Sequence, residues 1–336
     1  MIDPFERILQ LPGFHDLFSE LHEALSLYWT TASDVLQGGG ITLLDPPEGY
    51  FSLENNFFSS IFLYSYHPLR IPRTRRVLYA AVNQCFRGMV TGCDNILDDE
   101  YKRTLETDLP GKARRFRSVL DIMVSEHVMF NLLTAAARMG EIPEGRVLLA
   151  ADAALRALTR SGAQEAGEEG GTGEALPPDK ILNKIHHFKT GILFQSPWAV
   201  PTVLENIDEI QTRPIRAGLY QIGMGCQIMD DLVDLQRDVR QSRHNYVASL
   251  IYHHQGQAAW TRLRNRRLPS PNTEENIQNL IQEFPEPIAF AVDSCRRYLN
   301  QGINALLGNP PPELLQTVIT ILARRIGALS YLAQSP

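Results

Sequence analysis

The chain is poor in most features that would set it apart from an ordinary globular protein. Of its 336 residues four are cysteine (Cys85, Cys93, Cys226 and Cys295), far apart and without a C-x-x-C pair, which excludes a zinc cage and a disulfide framework. Positive charge is not in excess. Lys and Arg number 32 against 38 Asp and Glu, a formal net charge of −6, which excludes a generally basic nucleic-acid binder. No run of about 18 apolar residues is free of charge, so no membrane span is expected. The opening MIDPFERILQ carries acids early and lacks an apolar core segment, so it does not read as a secretory leader, and a cytoplasmic protein is expected. Strand signals are scarce, and no repeat of solenoid period is present. What remains is 44% hydrophobic and 21% charged residues, enough to build a sizeable core.

The dominant pattern is helical. Residues 77–100, 116–139, 180–195, 215–239 and 313–333 are free of proline and place apolar side chains three and four apart, which predicts an all-α fold. Gly88, Gly92, Gly223 and Gly225 sit inside these runs, each at a cost of about 1 kcal/mol relative to alanine. Such small residues let a neighbouring helix or a bulky ligand come close. Residues 161–179 (SGAQEAGEEGGTGEALPPD) are rich in Gly, Glu and Ala and end in a double proline. They read as a flexible surface loop within a single domain spanning 1–336.

Two acidic clusters carry the chemistry. One is Asp94, Asp98, Asp99 and Glu100 in CDNILDDE; the other is Asp230, Asp231 and Asp234 in QIMDDLVD, with Asp238 one turn on. On a helix, residues four apart share a face, so Asp94 stacks with Asp98 and Asp230 with Asp234. Like charges so placed repel, and hard divalent cations held by carboxylate oxygens would offset the repulsion. A single D-x-x-x-D is more often a solvated helix face; two at the ends of apolar helices are the stronger signal. Magnesium takes only one or two carboxylates and completes its shell with water and phosphate, so sparse clusters of this kind suit a metal-bridged diphosphate. Basic residues complete the set: Arg73, Arg75 and Arg76 in RIPRTRR, Arg103 beside Lys102, and Lys189 with Thr190 inside an otherwise apolar run. An unpaired ammonium there is costly to bury and calls for an anionic partner, unless its head reaches water.

These residues resemble the trans-isoprenyl diphosphate synthases of the class I terpenoid synthase superfamily, over about residues 70 to 250. The first cluster is similar to the family's DDxxD motif, with Asp94 and Asp98 at the outer positions and Asn95 in place of the second aspartate. Arg103 falls where the first of a paired arginine stands, and Thr104 replaces the second. Lys189-Thr190-Gly191 matches the KT motif, and Gln227 through Asp234 matches QxxDDxxD. Arg73 and Arg76 fall where the family has the Lys and Arg of GGKxxR, without the glycines, and Arg87 stands near a usual histidine. Asn245, Ser249 and His253 have the spacing of a cyclase metal motif, with His in place of Glu, which reads as coincidence.

The resemblance implies a helical bundle around a central cavity, a homodimer, and three magnesium ions held by Asp94, Asp98, Asp99, Asp230, Asp231 and Asp234. It implies that Lys189, Thr190, Arg103 and Gln227 bind an allylic prenyl diphosphate, that Arg73 and Arg76 hold isopentenyl diphosphate, and that Phe86, Met89 and Val90 line the chain pocket. Asp94, Asp98, Lys189 and Asp230 would be catalytic. The expected reaction is chain elongation. Cyclisation of a single prenyl diphosphate, head-to-head condensation and a non-catalytic subunit of a prenyl synthase stand as alternatives. A di-iron carboxylate bundle is set aside because no Glu-x-x-His pairs occur.

Overall fold

The computed structural model describes Ile8 and residues 14–99, 101–172, 175–266 and 273–333. The described residues form helices; an isolated antiparallel bridge between Leu43 and Thr107 is the sole strand-like pairing among them. By its internal packing the chain divides into two compact units, Met1–Thr159 with Ser196–Arg213, and Arg160–Gln195 with Pro214–Pro336.

The first unit contains α1 (Phe14–Leu36), α2 (Phe57–Tyr64), α3 (Arg73–Leu97), α4 (Arg114–Arg138), most of α5 (Val147–Ala166) and the short α6 (Ala199–Leu204). Pro72, at φ −55° and ψ 146°, is the extended residue from which α3 starts. The two glycines of α3 have the close-approach role expected of them. A Cβ on Gly88 would lie 2.1 Å from Ser125 Oγ, and one on Gly92 would lie 2.7 Å from the backbone oxygen of Ser118, so α3 and α4 pack almost backbone to backbone. Buried aromatics fill the rest. Tyr66 donates to the Pro197 carbonyl at 2.8 Å and accepts from Asn83, while the Trp198 indole donates to Ser65 Oγ at 3.0 Å. Helix α4 is long and apolar enough to cross a membrane by length and composition, an exception to the expectation of no span, yet half of its most apolar window is buried inside the fold.

The second unit holds a π-helix (Ile181–Gly191), most of α7 (Glu209–Gln241), α8 (Tyr246–Asn265), α9 (Glu274–Glu283), α10 (Pro285–Leu307), α11 (Pro312–Ile326) and α12 (Leu329–Leu332). Helices α7 and α10 meet where Gly218 faces Gly302; a Cβ on Gly302 would fall 2.7 Å from the Gly218 carbonyl oxygen. The expected run 313–333 is divided by Gly327, whose φ of 91° ends α11. The run 180–195 is helical but wider than an α-helix: Ile192 N–H reaches the carbonyl of His187, five residues back, at 2.9 Å.

The connection at 161–179 differs from its description as loose. Helix α5 continues through Ala166, as the alanines and Gln164 of SGAQEA favour. Beyond it Thr172 N–H and Oγ1 both donate to the Ser242 carbonyl, at 2.7 and 2.8 Å, and Ser249 Oγ donates to the Leu176 carbonyl at 2.6 Å.

Candidate functional site

In the second unit two motifs distant in the chain come together. Thr190, in the last turn of the π-helix, donates through Oγ1 to the side-chain oxygen of Gln227 on α7. The amide nitrogen of Gln227 donates to Asp230 Oδ2 at 3.3 Å and to Asp231 Oδ1 at 3.1 Å. Lys189 Nζ lies 3.2 Å from Glu165 Oε1 in the last turn of α5, and Ser161 Oγ holds the Lys189 carbonyl at 2.6 Å. Burial works against the ammonium, but the carboxylates of Glu165, Asp230, Glu168 and Asp231 outweigh it and raise its pKa above the usual lysine value. Lys189 therefore stays charged and belongs to the same electrostatic group as the second acidic cluster.

The adjacent aspartates of that cluster are of two kinds. Asp230 and Asp234 are half-buried and one helical turn apart, oxygen donors of the sparse type that magnesium takes. Asp234 also accepts from Arg237 at 2.5 Å. Asp231 is 2% exposed and saturated by protein donors: His186 Nε2 at 2.9 Å, the Tyr246 backbone N–H and the Gln227 amide. A carboxylate so occupied is a structural hub, and the expectation that Asp231 ligates metal does not fit its surroundings. Among the described residues no three His, Cys, Asp or Glu side chains gather as a ready-made metal cage.

Asn245, Ser249 and His253 have structural partners, as their reading as coincidence implies. Asn245 caps α8 by accepting from Ala248 N–H at 3.0 Å, and it donates to Asp238 at 2.9 Å and to the Asp231 carbonyl at 2.8 Å. His253 and Ser249 bond to the backbone of Ala175 and Leu176. Asp238 is buried, and its carboxyl is pushed up to about 8 by that burial and by the charges of Asp231 and Asp234, against the pull of Asn245 and Lys189.

In the first unit Asp94 and Asp98 are half-buried in the last turn of α3, where Asp98 N–H bonds to the Asp94 carbonyl at 2.8 Å. Asp99 lies past the helix end at φ 51° and pairs with Arg115 at 3.5 Å, both side chains exposed, so it leaves the face that Asp94 and Asp98 share. Glu100 lies outside the described residues. Asn95, standing where the resemblance places an aspartate, is 4% exposed and does what an aspartate cannot: Nδ2 donates to the Lys102 carbonyl at 2.9 Å, and Oδ1 accepts from Lys102 N–H at 2.7 Å. It clamps the segment that carries Arg103, which pairs with Glu106 at the surface. The same segment is held from α4, where Arg117 donates to the Leu109 carbonyl and buried Asp121 receives the Leu105 N–H. Phe86 is buried in the core of this unit, whereas Val90 and Met89 are half-buried. Val90 lies one turn before Asp94 on its face, and Met89 lies roughly 140° round the helix.

The arginines expected to hold a second diphosphate are engaged by protein groups. Arg73 pairs with Glu23 at 2.7 Å, and Arg76 makes a two-pronged contact with buried Glu20, its Nε at 2.9 Å. Arg75 meets Glu205 at 2.7 Å, and Arg87 donates to Asn56 Oδ1 at 3.0 Å. Sequence reasoning misses Glu20 and Glu165 because an ion-pair partner tens of residues away leaves no local signal. It also misses His186, whose place three residues before Lys189 is the available hint.

No family model matches the sequence, and no curated protein matches it. Solved structures match in fold. A geranylgeranyl pyrophosphate synthetase from Pyrococcus horikoshii Ot3 superposes with a TM-score of 0.61 at 14% identity, covering 93% of this chain and 98% of that one. For octaprenyl pyrophosphate synthase from Helicobacter pylori the values are 0.61, 14%, 91% and 99%. A polyprenyl synthase from Caulobacter crescentus CB15, complexed with calcium and isoprenyl diphosphate, gives 0.59, 14%, 95% and 98%. The chain has the fold of the trans-isoprenyl diphosphate synthases.

Proposed function

We propose that the chain is a magnesium-dependent prenyltransferase that ionises an allylic prenyl diphosphate and joins it to isopentenyl diphosphate. The observation that carries this reading is the meeting of Lys189 and Thr190 with Gln227 and Asp230, one cation and a set of oriented polar groups around half-buried carboxylates. Asp230 and Asp234 would supply one or two carboxylates to magnesium bound with the diphosphate, the role that the resemblance also gives to Asp94 and Asp98. Bound magnesium supplies Lewis-acid neutralisation of the charge that develops on the leaving group. Lys189 donates to the diphosphate oxygens and stabilises the same charge, and Gln227 fixes the Thr190 hydroxyl and the Asp230 carboxylate beside it. Val90, one turn before Asp94 on its face, lines the apolar path of the chain and keeps water from the cation, whereas Met89 points away from that face. Arg103, held by the Asn95 clamp, is a further diphosphate donor. The protein would act as a homodimer in the cytoplasm.

A second reading is favoured by one observation. Glu20 and Glu23 already neutralise Arg76 and Arg73, as suits an enzyme that handles a single diphosphate and cyclises its own chain. Incubation with geranyl, farnesyl or geranylgeranyl diphosphate and magnesium, with and without isopentenyl diphosphate, separates the two. Elongated diphosphates that need both substrates support transfer. Hydrocarbons or alcohols formed from the allylic substrate alone support cyclisation, and no release of diphosphate from any of them refutes both.

A further inference from the structure

Glu165 stands in the last turn of α5, where the helix dipole disfavours negative charge. What compensates it is Lys189, with Nζ 3.2 Å from Oε1 and both side chains about a fifth exposed, at 21% and 22%. Of the other acidic groups near Lys189, Asp230 is half-buried and accepts from the Gln227 amide at 3.3 Å, and two are fixed elsewhere. Asp231 is saturated by His186, Tyr246 and Gln227, and Glu168 is buried, accepting from Gln164 at 3.1 Å and from His244 N–H at 3.2 Å. The Lys189 backbone is pinned by Ser161 Oγ, so its side chain can pivot while its main chain stays.

We infer that Glu165 is a positioning residue that holds the Lys189 ammonium when no substrate is bound and yields it to the incoming diphosphate. The inference rests on the proposed function, in which Lys189 binds that group. A partly exposed ion pair of this kind is worth at most about 1 kcal/mol, weak enough for a multiply charged anion with its metal to displace. The carboxylate thus acts as an internal competitor: it keeps the ammonium oriented and charged, and it weakens substrate affinity by the cost of breaking the pair.

The test is a double-mutant cycle on the full chain, with magnesium and inorganic diphosphate as the probe and calorimetric titration as the measure. Glu165→Gln should tighten binding roughly three- to fivefold, the span set by a pair of that strength. Lys189→Gln should weaken binding, and in its background Glu165→Gln should change nothing. In turnover with an allylic diphosphate the gain should appear in KM and not in kcat, a split that a merely structural residue would not produce. Unchanged or weaker binding in Glu165→Gln, or the same gain without Lys189, overturns the inference. If Glu165→Gln does not fold, Glu165→Asp, one methylene shorter, must show a gain in the same direction, and its absence is equally fatal. Binding that depends on Lys189 but not on Glu165 refutes this inference alone, whereas no binding by any of the proteins refutes the proposed function.

Discussion

Replacing Asn95 by aspartate would restore the residue that a DDxxD motif leads one to expect, and it should nevertheless damage the protein. The Asn95 amide donates to one backbone group of Lys102 and accepts from the other, at 2.9 and 2.7 Å, and the side chain is 4% exposed. An ionised aspartate keeps the acceptor and turns the donor into a second acceptor, which points a negative oxygen at the Lys102 carbonyl. One hydrogen bond is lost, worth about 1 kcal/mol, and a part-buried carbonyl is left facing a negative oxygen, at about 1–3 kcal/mol more. The total is about 2–4 kcal/mol. Urea unfolding followed by circular dichroism should show the midpoint move down accordingly, with the slope unchanged. Because the clamp places the segment that carries Arg103, the KM for an allylic diphosphate should rise as well. Asn95→Ala also loses the clamp, and comparison of the two variants isolates the cost of the misplaced charge. An Asn95→Asp protein as stable as the wild type, or more active, would refute both the clamp and the role given to Arg103.

Three further outcomes are expected. Asp231→Ala should lose about 3–5 kcal/mol of stability by stripping His186, Gln227 and the Tyr246 N–H of their common acceptor, whereas Asp230→Ala should keep its melting temperature within about 2 °C and lose turnover; equal effects on stability would reject the division between hub and ligand. Asp121 is pushed up to about 7 by burial, despite the opposing pull of Thr104, Arg117 and the Leu105 N–H, whereas its unfolded value is about 3.9. The unfolded chain therefore releases this proton first as pH rises, so stability falls between about pH 4 and 7 by up to about 4 kcal/mol; Asp121→Asn should flatten that part of a melting-temperature profile, and an unaltered profile would refute it. Gly92→Ala should cost about 1–3 kcal/mol in chemical denaturation, because its Cβ would fall 2.7 Å from the Ser118 carbonyl oxygen; a neutral result would mean that α4 can retreat.

The sequence is most informative where the physics is local. Apolar residues at helical spacing give the all-α fold, and α3 and α4 begin and end within a few residues of the expected runs. The glycines at 88 and 92 mark a close helix approach because nothing else accounts for their cost there. The pairing of Thr190 with Gln227 was legible only as a resemblance, since no periodicity links the two. Three features were not legible for stated reasons. Asp230 and Asp231 are adjacent acids with different surroundings, and only the tertiary partners of Asp231 tell them apart. The arginines of RIPRTRR look solvated in one dimension, while Glu20 and Glu23, which neutralise two of them, lie on α1. The end of α5 has the composition of a surface loop, yet Glu165 and Glu168 there face the Lys189 neighbourhood.

The π-helix at Ile181–Gly191 makes the number of residues, as well as their identity, a determinant of where Lys189 and Thr190 point. Loss of one residue from 181–188 would let the segment tighten toward ordinary α geometry and swing everything beyond it by about 100° around the axis. The hydroxyl now seated on Gln227 and the ammonium now facing Glu165 would turn away together, with every side chain in the motif intact. Substitutions along the outer face of this segment should leave that placement intact, whereas a one-residue deletion should not.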